Sequence, residues 1–273
     1  MTQDFLKDYE LVWNDEFDGE ELDLSKWRFK PEMLPQSDLG IRSDETAVSV
    51  NDGILRLTSD RIRDEKYYAN VSLTTFEKMS FQYGYIEIRA KVPFARPAWP
   101  AFWLLSDPNK KLTTLWKSEI DIFEGIGIEN VTESTLHKWY HDGTRRHFST
   151  PAERTTRKVF ASKEEAQDWH TYGMLWTSEF IKFFVDGEVF QVFDITDKGD
   201  YVSDDYGMGG HHDPHYVIFN NHVYTKGYQG CQTWAKGREA TPEHKFPINF
   251  DIDYVRLYQK PDEGKLIIPV IKN

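Results

Sequence analysis

Tyr83-Gly84-Tyr85-Ile86-Glu87-Ile88-Arg89-Ala90-Lys91-Val92 alternates almost without fault. Ile86, Ile88, Ala90 and Val92 fall on one face of an extended chain, and Glu87, Arg89 and Lys91 on the other, because strand side chains have a period of two. The segment therefore reads as a half-buried strand. Outward from it the same rhythm returns. Gly53 to Ser59 alternates, and Phe180 to Val185 leads through the hairpin dipeptide Asp186-Gly187 into Val189 to Phe193. Near the end, Asp253, Val255 and Leu257 alternate with Tyr254, Arg256 and Tyr258. The one helix-like stretch is Ser162 to Asp168, where Ser162 and Glu165 have capping-box spacing. Many short strands separated by turn residues predict an all-β antiparallel sandwich or jelly roll. No repeat, low-complexity tract or linker interrupts the pattern. Residues 1–273 are expected to form a single domain, with a core over about 9–260 and a tail over 261–273 that packs loosely or adds an edge strand.

Composition narrows the function. The chain is 39% hydrophobic and 29% charged, as a globular protein is. Aromatic residues reach 15%, with nine Trp, more than a core alone calls for; the rest suit platforms for sugar-like ligands. The net charge of -12 offers no basic stripe for phosphates, which argues against nucleic acid, and it favours a neutral substrate over a sulfated or uronic one. A single cysteine, Cys231, excludes an internal disulfide and a thiolate metal site. No segment has the length and apolarity of a membrane helix, so no membrane partner is expected. Met1-Thr2-Gln3-Asp4-Phe5-Leu6 lacks the basic and apolar blocks of a signal peptide, so either a leader has been removed or the protein stays inside the cell.

The densest chemistry lies in Ser118-Glu119-Ile120-Asp121-Ile122-Phe123-Glu124-Gly125. In a strand Glu119 and Asp121 share a face while Ile120 and Ile122 turn to the core. Glu124 has the wrong parity by one residue, and a β-bulge at Ile122-Phe123 would return it to the acidic face. The two glutamates would then stand four strand steps apart, about 13 Å between Cα atoms. Inward reach of about 4 Å by each side chain brings the carboxyls to about 5 Å. Retaining glycosidases hold their two carboxyls about 5–5.5 Å apart, whereas inverting ones need about 6.5–9.5 Å. Asp121 between them raises the cost of ionising all three acids, so the cluster keeps a proton that holds the acid/base ready. A solvated strand face shows the same alternation, and spacing alone leaves both readings open.

Together with other segments, this run resembles the bulged E-x-D-x-x-E signature of glycoside hydrolase family 16. Tyr83 to Lys91 is similar to the family's long strand, Trp99-Pro100-Ala101-Phe102-Trp103-Leu104-Leu105 to the segment before its acids, and Trp169-His170-Thr171-Tyr172-Gly173 with Phe183 to Gly187 to a later hairpin. Phe246-Pro247 and Asp253 to Tyr258 resemble its closing strand. The resemblance covers about Tyr9 to Gln259. It implies a concanavalin A-like jelly roll with a concave substrate cleft. It also implies double-displacement hydrolysis of internal β-linked polysaccharide bonds, with Glu119 as nucleophile, Asp121 as helper and Glu124 as acid/base. The bulged form points first to an endo-β-1,3-glucanase of the laminarinase branch. An endo-β-galactanase acting on agar, porphyran or mucin-type chains is the alternative, suggested by Ser72 and by Asn220-Asn221-His222. A non-catalytic carbohydrate-binding sandwich is the third possibility.

Trp99 and Trp103 share strand parity and are candidate sugar platforms, with Trp116 as a further wall. His137 is expected near Glu124, where it would touch substrate or tune the acid/base, and Asn220 lies in a segment expected to line the cleft. Gly209 to His215, with three histidines, reads as a loop at the cleft rim rather than a metal site. No cofactor is expected for catalysis. The resemblance also implies a structural calcium held by Glu16, the Gly53 carbonyl and Asp253. The expected partner is a β-linked polysaccharide or oligosaccharide, met by a monomer. That substrate class implies a secreted or cell-surface protein.

Overall fold

The computed structural model describes residues 4–29, 41–42, 45–62, 67–69, 71–110, 116–140, 147–149, 157–196, 211–224 and 236–269. Cys231, Asn70, Gly209 and Gly210 lie outside these. The architecture is two ten-stranded sheets packed face to face, the expected jelly-roll sandwich. In one sheet the strand Gly84–Lys91 sits centrally, between Trp169–Trp176 and the closing strand Ile248–Gln259. Its alternation is realised: Ile86, Ile88 and Ala90 are fully buried and Lys91 is exposed. Asp186 and Gly187 both take positive φ, 52° and 78°, as a type I′ hairpin requires. The short parallel pair Ile41–Arg42 with Tyr67–Ala69 is the one departure from antiparallel pairing among the described strands.

The second sheet runs His147–Ser149, Val131–Tyr140, Trp116–Glu124, Ala98–Ser106, His215–Val223, Val71–Thr74 and Arg28–Phe29 in spatial order. The tail adds an edge strand, with Lys265–Ile267 pairing Ser80–Gln82. Between the sheets lies one core, where Phe102, Leu104, Ile120, Leu136, Val217 and Phe219 meet Ile86, Ile88, Tyr172, Met174, Val255 and Leu257. At roughly 25 cal/mol per Å² of apolar surface removed from water, this burial is the main force holding the sheets together. The helix shrinks to Lys163–Ala166, with Ser162 Oγ accepting from the Glu165 N–H at 3.1 Å. Among the described residues no helix is long and apolar enough to cross a membrane.

Candidate active site

The site is built on an irregularity in the strand Trp116–Glu124. Glu119 lies opposite Leu105 on one neighbour and His137 on the other; Asp121 lies opposite Trp103 and Thr135; Glu124 lies opposite Ala101 and Glu133. From Asp121 to Glu124 this strand takes three steps where each neighbour takes two, so one residue is extra. Ile122 and Phe123 both turn into the core, 2% and 0% exposed, and Glu124 returns to the acidic face. Phe123 anchors the bulge, its ring centroid 4.6 Å from Tyr172, 5.7 Å from Phe250 and 6.2 Å from Phe94. The next residue must be small: the Gly125 N–H donates to the Pro100 carbonyl at 2.8 Å, and a Cβ there would sit 2.7 Å from Pro100 Cγ.

The three acids open into one cavity of about 290 Å³. Trp99, Ala101 and Trp103 line it from one neighbouring strand, Asn220 and His222 from the next, and Lys117 and Trp139 close the far side. Trp99 faces His222 and Ala101 faces Asn220 across the ladder, so strand parity alone delivers these side chains to one face. Each glutamate is held by an indole. The Trp99 Nε1–H donates to Glu124 Oε1 at 2.9 Å, and the Trp139 Nε1–H donates to Glu119 Oε2 at 3.0 Å. Asp121 Oδ2 lies 2.9 Å from His137 Nε2.

Burial and crowding of like charge set the electrostatics. Desolvation first, then the neighbouring Asp121 charge, pushes Glu119 up to about 7 and Glu124 up to about 8. Burial holds Asp121 well above the ordinary carboxylate range. The trio therefore shares protons near neutrality, and the Lys117 charge favours ionisation at Glu119. A carboxylate beside a protonated carboxyl across a narrow, aromatic-lined cavity is the arrangement that nucleophilic glycosidic cleavage needs.

Residues 10–260 match the sequence family described as "Beta-porphyranase A-D, GH16 domain". The chain belongs to glycoside hydrolase family 16. Over 272 residues it is 31% identical to a beta-glucanase of Rhodothermus marinus, covering 92% of this chain and 85% of that one. It is 28% identical to glucan endo-1,3-beta-glucosidase A1 of Niallia circulans, across 92% of this chain but only 38% of that longer protein. The solved laminarinase structure from Rhodothermus marinus superposes with a TM-score of 0.67 at 29% identity, over 92% of this chain and 97% of that one. The protein is thus a glycoside hydrolase acting on O-glycosyl bonds.

Within this family 16 frame, several expected residues move. Trp99, Trp103 and Asn220 do line the cavity. Trp103 is only 9% exposed, packs with Leu105 and Ile218, and donates its N–H to Asn220 Oδ1 at 2.7 Å, so it forms wall rather than open floor. Trp116 is a correction. Its parity matches Ser118 and Ile120, which face away from the acids, and its ring lies under Lys138 at 4.6 Å. His137 sits across from Glu119 and bonds Asp121, not Glu124. The expected rim loop is also corrected. His211, Asp213 and His215 are buried behind the acid-bearing strand, where His215 Nε2 meets Ser118 Oγ at 3.1 Å. His222 lies in the segment expected to line the cleft and does so; Lys117 and Trp139 were missed, although each follows the parity of a residue already singled out, Glu119 and His137.

The calcium expectation does not fit the residues present. Glu16 grips Arg256 with both carboxylate oxygens, at 2.6 and 2.9 Å, and Asp253 is held by Arg89 at 2.6 Å. A dication there would have to displace two guanidinium groups. Among the described residues, Glu119, Asp121 and His137 form the one group with donor atoms close enough to chelate, within 4.8 Å of one another. There the His137 and Asp121 atoms that a cation would need are bonded to each other.

Proposed function

We propose that the protein is a retaining endo-glycosidase cutting internal β-1,3-glucan bonds, with Glu119 as nucleophile, Glu124 as acid/base and Asp121 as helper. The bulge carries this reading, because it is what places two glutamates of the same strand in one aromatic cavity. In the first step the Glu119 carboxylate attacks the anomeric carbon while the Glu124 carboxyl gives its proton to the departing glycosidic oxygen. In the second, Glu124 takes a proton from water, which attacks the same carbon and releases Glu119. Asp121 supplies the repulsion that keeps the second proton in the cluster. The carboxylates need no cofactor, and calcium at Glu16 and Asp253 is no part of this reading.

A glucan is favoured because, among the described residues, the cavity walls are indoles, an amide and an imidazole, with Lys117 the one lysine or arginine on them. The family match to porphyranases motivates a second reading, an endo-β-galactanase. This domain is proposed to act as a monomer at or outside the cell surface, where a polymer too large to enter is met. Laminarin, lichenan, agarose, porphyran and mucin glycans, with products sized by mass, separate the two readings. Short β-1,3-linked glucose oligomers are expected, and galactose-based oligomers alone would transfer the assignment. Proton NMR of the earliest product should show the β anomer; an initial α anomer would exclude double displacement.

A further inference from the structure

Behind the cleft wall beside Glu119 stands a residue that the catalytic scheme leaves without a task. His147, on the short edge strand His147–Ser149, faces the acids across two interactions at once. Its ring stacks on Trp139 with centroids 3.7 Å apart and planes 8° apart. Its Nε2 lies 2.7 Å from His137 Nδ1. Trp139 in turn holds Glu119, and His137 holds Asp121. The chain of contacts thus leaves the cluster at Glu119, passes through Trp139, His147 and His137, and returns at Asp121. From the rim, one imidazole braces two of the three acids.

We propose that His147 is a positioning residue for both the nucleophile and its helper, fixing Glu119 through a ring stack and Asp121 through a shared proton. The inference rests on the functional reading above and deepens it. A single proton occupies the contact between the two imidazoles. When Asp121 is ionised, His137 donates its Nε2–H to the carboxylate, its Nδ1 accepts, and His147 must donate from Nε2. When Asp121 is protonated, it donates to His137 Nε2, His137 donates from Nδ1, and His147 must carry its proton on Nδ1. Passing between these states moves one proton in at His147 Nδ1, one across to His137 and one onto Asp121, so the chain balances as a relay of a single proton. The tautomer of an exposed histidine is thereby tied to the charge of a buried carboxyl.

Among the described residues, the charged groups facing this chain are few. Lys117, Glu119 and Asp121 come from the acid-bearing strand, and His137 from the strand Val131–Tyr140. From the segment leading into His215–Val223, His211 lies with Nε2 3.2 Å from the His137 carbonyl. Partial desolvation of its ring holds His147 down to about 4, so it is neutral while the acids exchange protons. A neutral imidazole can be donor or acceptor as the relay demands; an imidazolium could only donate.

Three substitutions separate the two contacts. His147→Ala removes both, His147→Phe keeps the stack, and His147→Gln keeps a hydrogen-bonding group without the ring. Misplacing a reacting group by an ångström costs on the order of 100-fold. His147→Ala should therefore lower kcat about 10- to 100-fold with KM nearly unchanged, and move the acidic limb of the pH profile. His147→Phe should recover part of kcat but leave the limb displaced, and His147→Gln should do the reverse. Folded variants with wild-type kcat and wild-type limbs would overturn the proposal, as would a loss confined to KM. A wild type inactive on every glycan would sink the functional reading instead. The proposal would then still be decided by 15N-histidine NMR, in which the His147 tautomer should switch as the cluster titrates and should freeze in Asp121→Asn. A His147 signal indifferent to both would end it.

Discussion

Glu119 and Glu124 are the same side chain, held by the same donor, on the same strand, yet the two ends of the cleft are built differently. At the Glu124 end, Trp99 stacks on Tyr224 at 4.9 Å with planes 6° apart, and Tyr224 is fully buried. At the Glu119 end, Trp139 is 36% exposed one strand in from the sheet's edge, backed by His147 and reached by Lys117, whose Nζ lies 5.9 Å from its ring. The Lys117 charge pulls Glu119 down and does not figure at Glu124. A drier end favours keeping its proton and a wetter, cation-flanked end favours giving it up, an asymmetry that suits the acid/base role proposed for Glu124 and the nucleophile role proposed for Glu119.

The largest effect that can break this comparison is removal of either carboxylate. Glu119→Gln should fall to about one ten-thousandth of wild-type kcat or below on every substrate, because the proposed nucleophile is gone. Glu124→Gln should lose about 10²–10⁴-fold on glycan but much less on an aryl glycoside whose leaving group needs no proton. Equal losses on both substrates by both variants, with circular dichroism unchanged, would erase the distinction between the ends.

The two faces of the same sheet offer the next test. Phe123 is buried among four rings, while Trp139 faces the cleft. Phe123→Ala should cost about 3–5 kcal/mol in urea unfolding and release the bulge, taking activity with it. Trp139→Ala should leave stability within about 1 kcal/mol and strike activity alone. If the two variants are equally stable, Phe123 does not anchor the bulge.

Stability against pH sharpens the contrast further. Glu119 and Glu124 have folded values raised above the unfolded 4.5, so their contribution is full below 4.5 and is lost as pH rises through about 7 and about 8. Burial lowers His215 to about 4 and His222 to about 3, from 6.5. Their contribution is full above 6.5 and is lost as pH falls toward those values. Stability should peak between about 4.5 and 6.5. Glu124→Gln should remove part of the alkaline decline, gaining on the order of 1–2 kcal/mol over wild type at pH 8.5 relative to pH 5, after allowance for solvent screening. A gain at pH 5 instead would reverse the sign and refute the burial argument.

Legibility in the sequence followed periodicity. Gly84–Lys91, the Asp186-Gly187 hairpin and the bulge between Asp121 and Glu124 were readable because alternation, turn chemistry and a parity error are all local. What failed depended on contacts between distant segments. Trp116 was placed by its nearness in sequence to the acids, and a single step of parity sent it to the other face. His211, Asp213 and His215 looked like a polar loop, but Ser118 and Trp176 give their segment buried partners. Glu16 and Asp253 looked free for a cation until the fold brought Arg256 and Arg89 against them. Trp139 was two residues from His137 on the same face, and following the alternation one step further would have found it.

The smallest effect tests the two indoles directly. Each N–H favours the ionised form of its glutamate, so removing it raises that glutamate's value. Trp139→Phe should move the acidic limb of the kcat/KM profile to higher pH, because the nucleophile must be ionised to attack. Trp99→Phe should move the alkaline limb to higher pH, because the acid must be protonated to donate. One hydrogen bond to a carboxylate, at about 1–2 kcal/mol, corresponds to a displacement of about one pH unit in each case. Both limbs move in the same direction, yet each variant moves only one. The double variant should therefore carry the whole bell upward with its width restored, and a bell that narrowed would mean the two ends are not independently tuned.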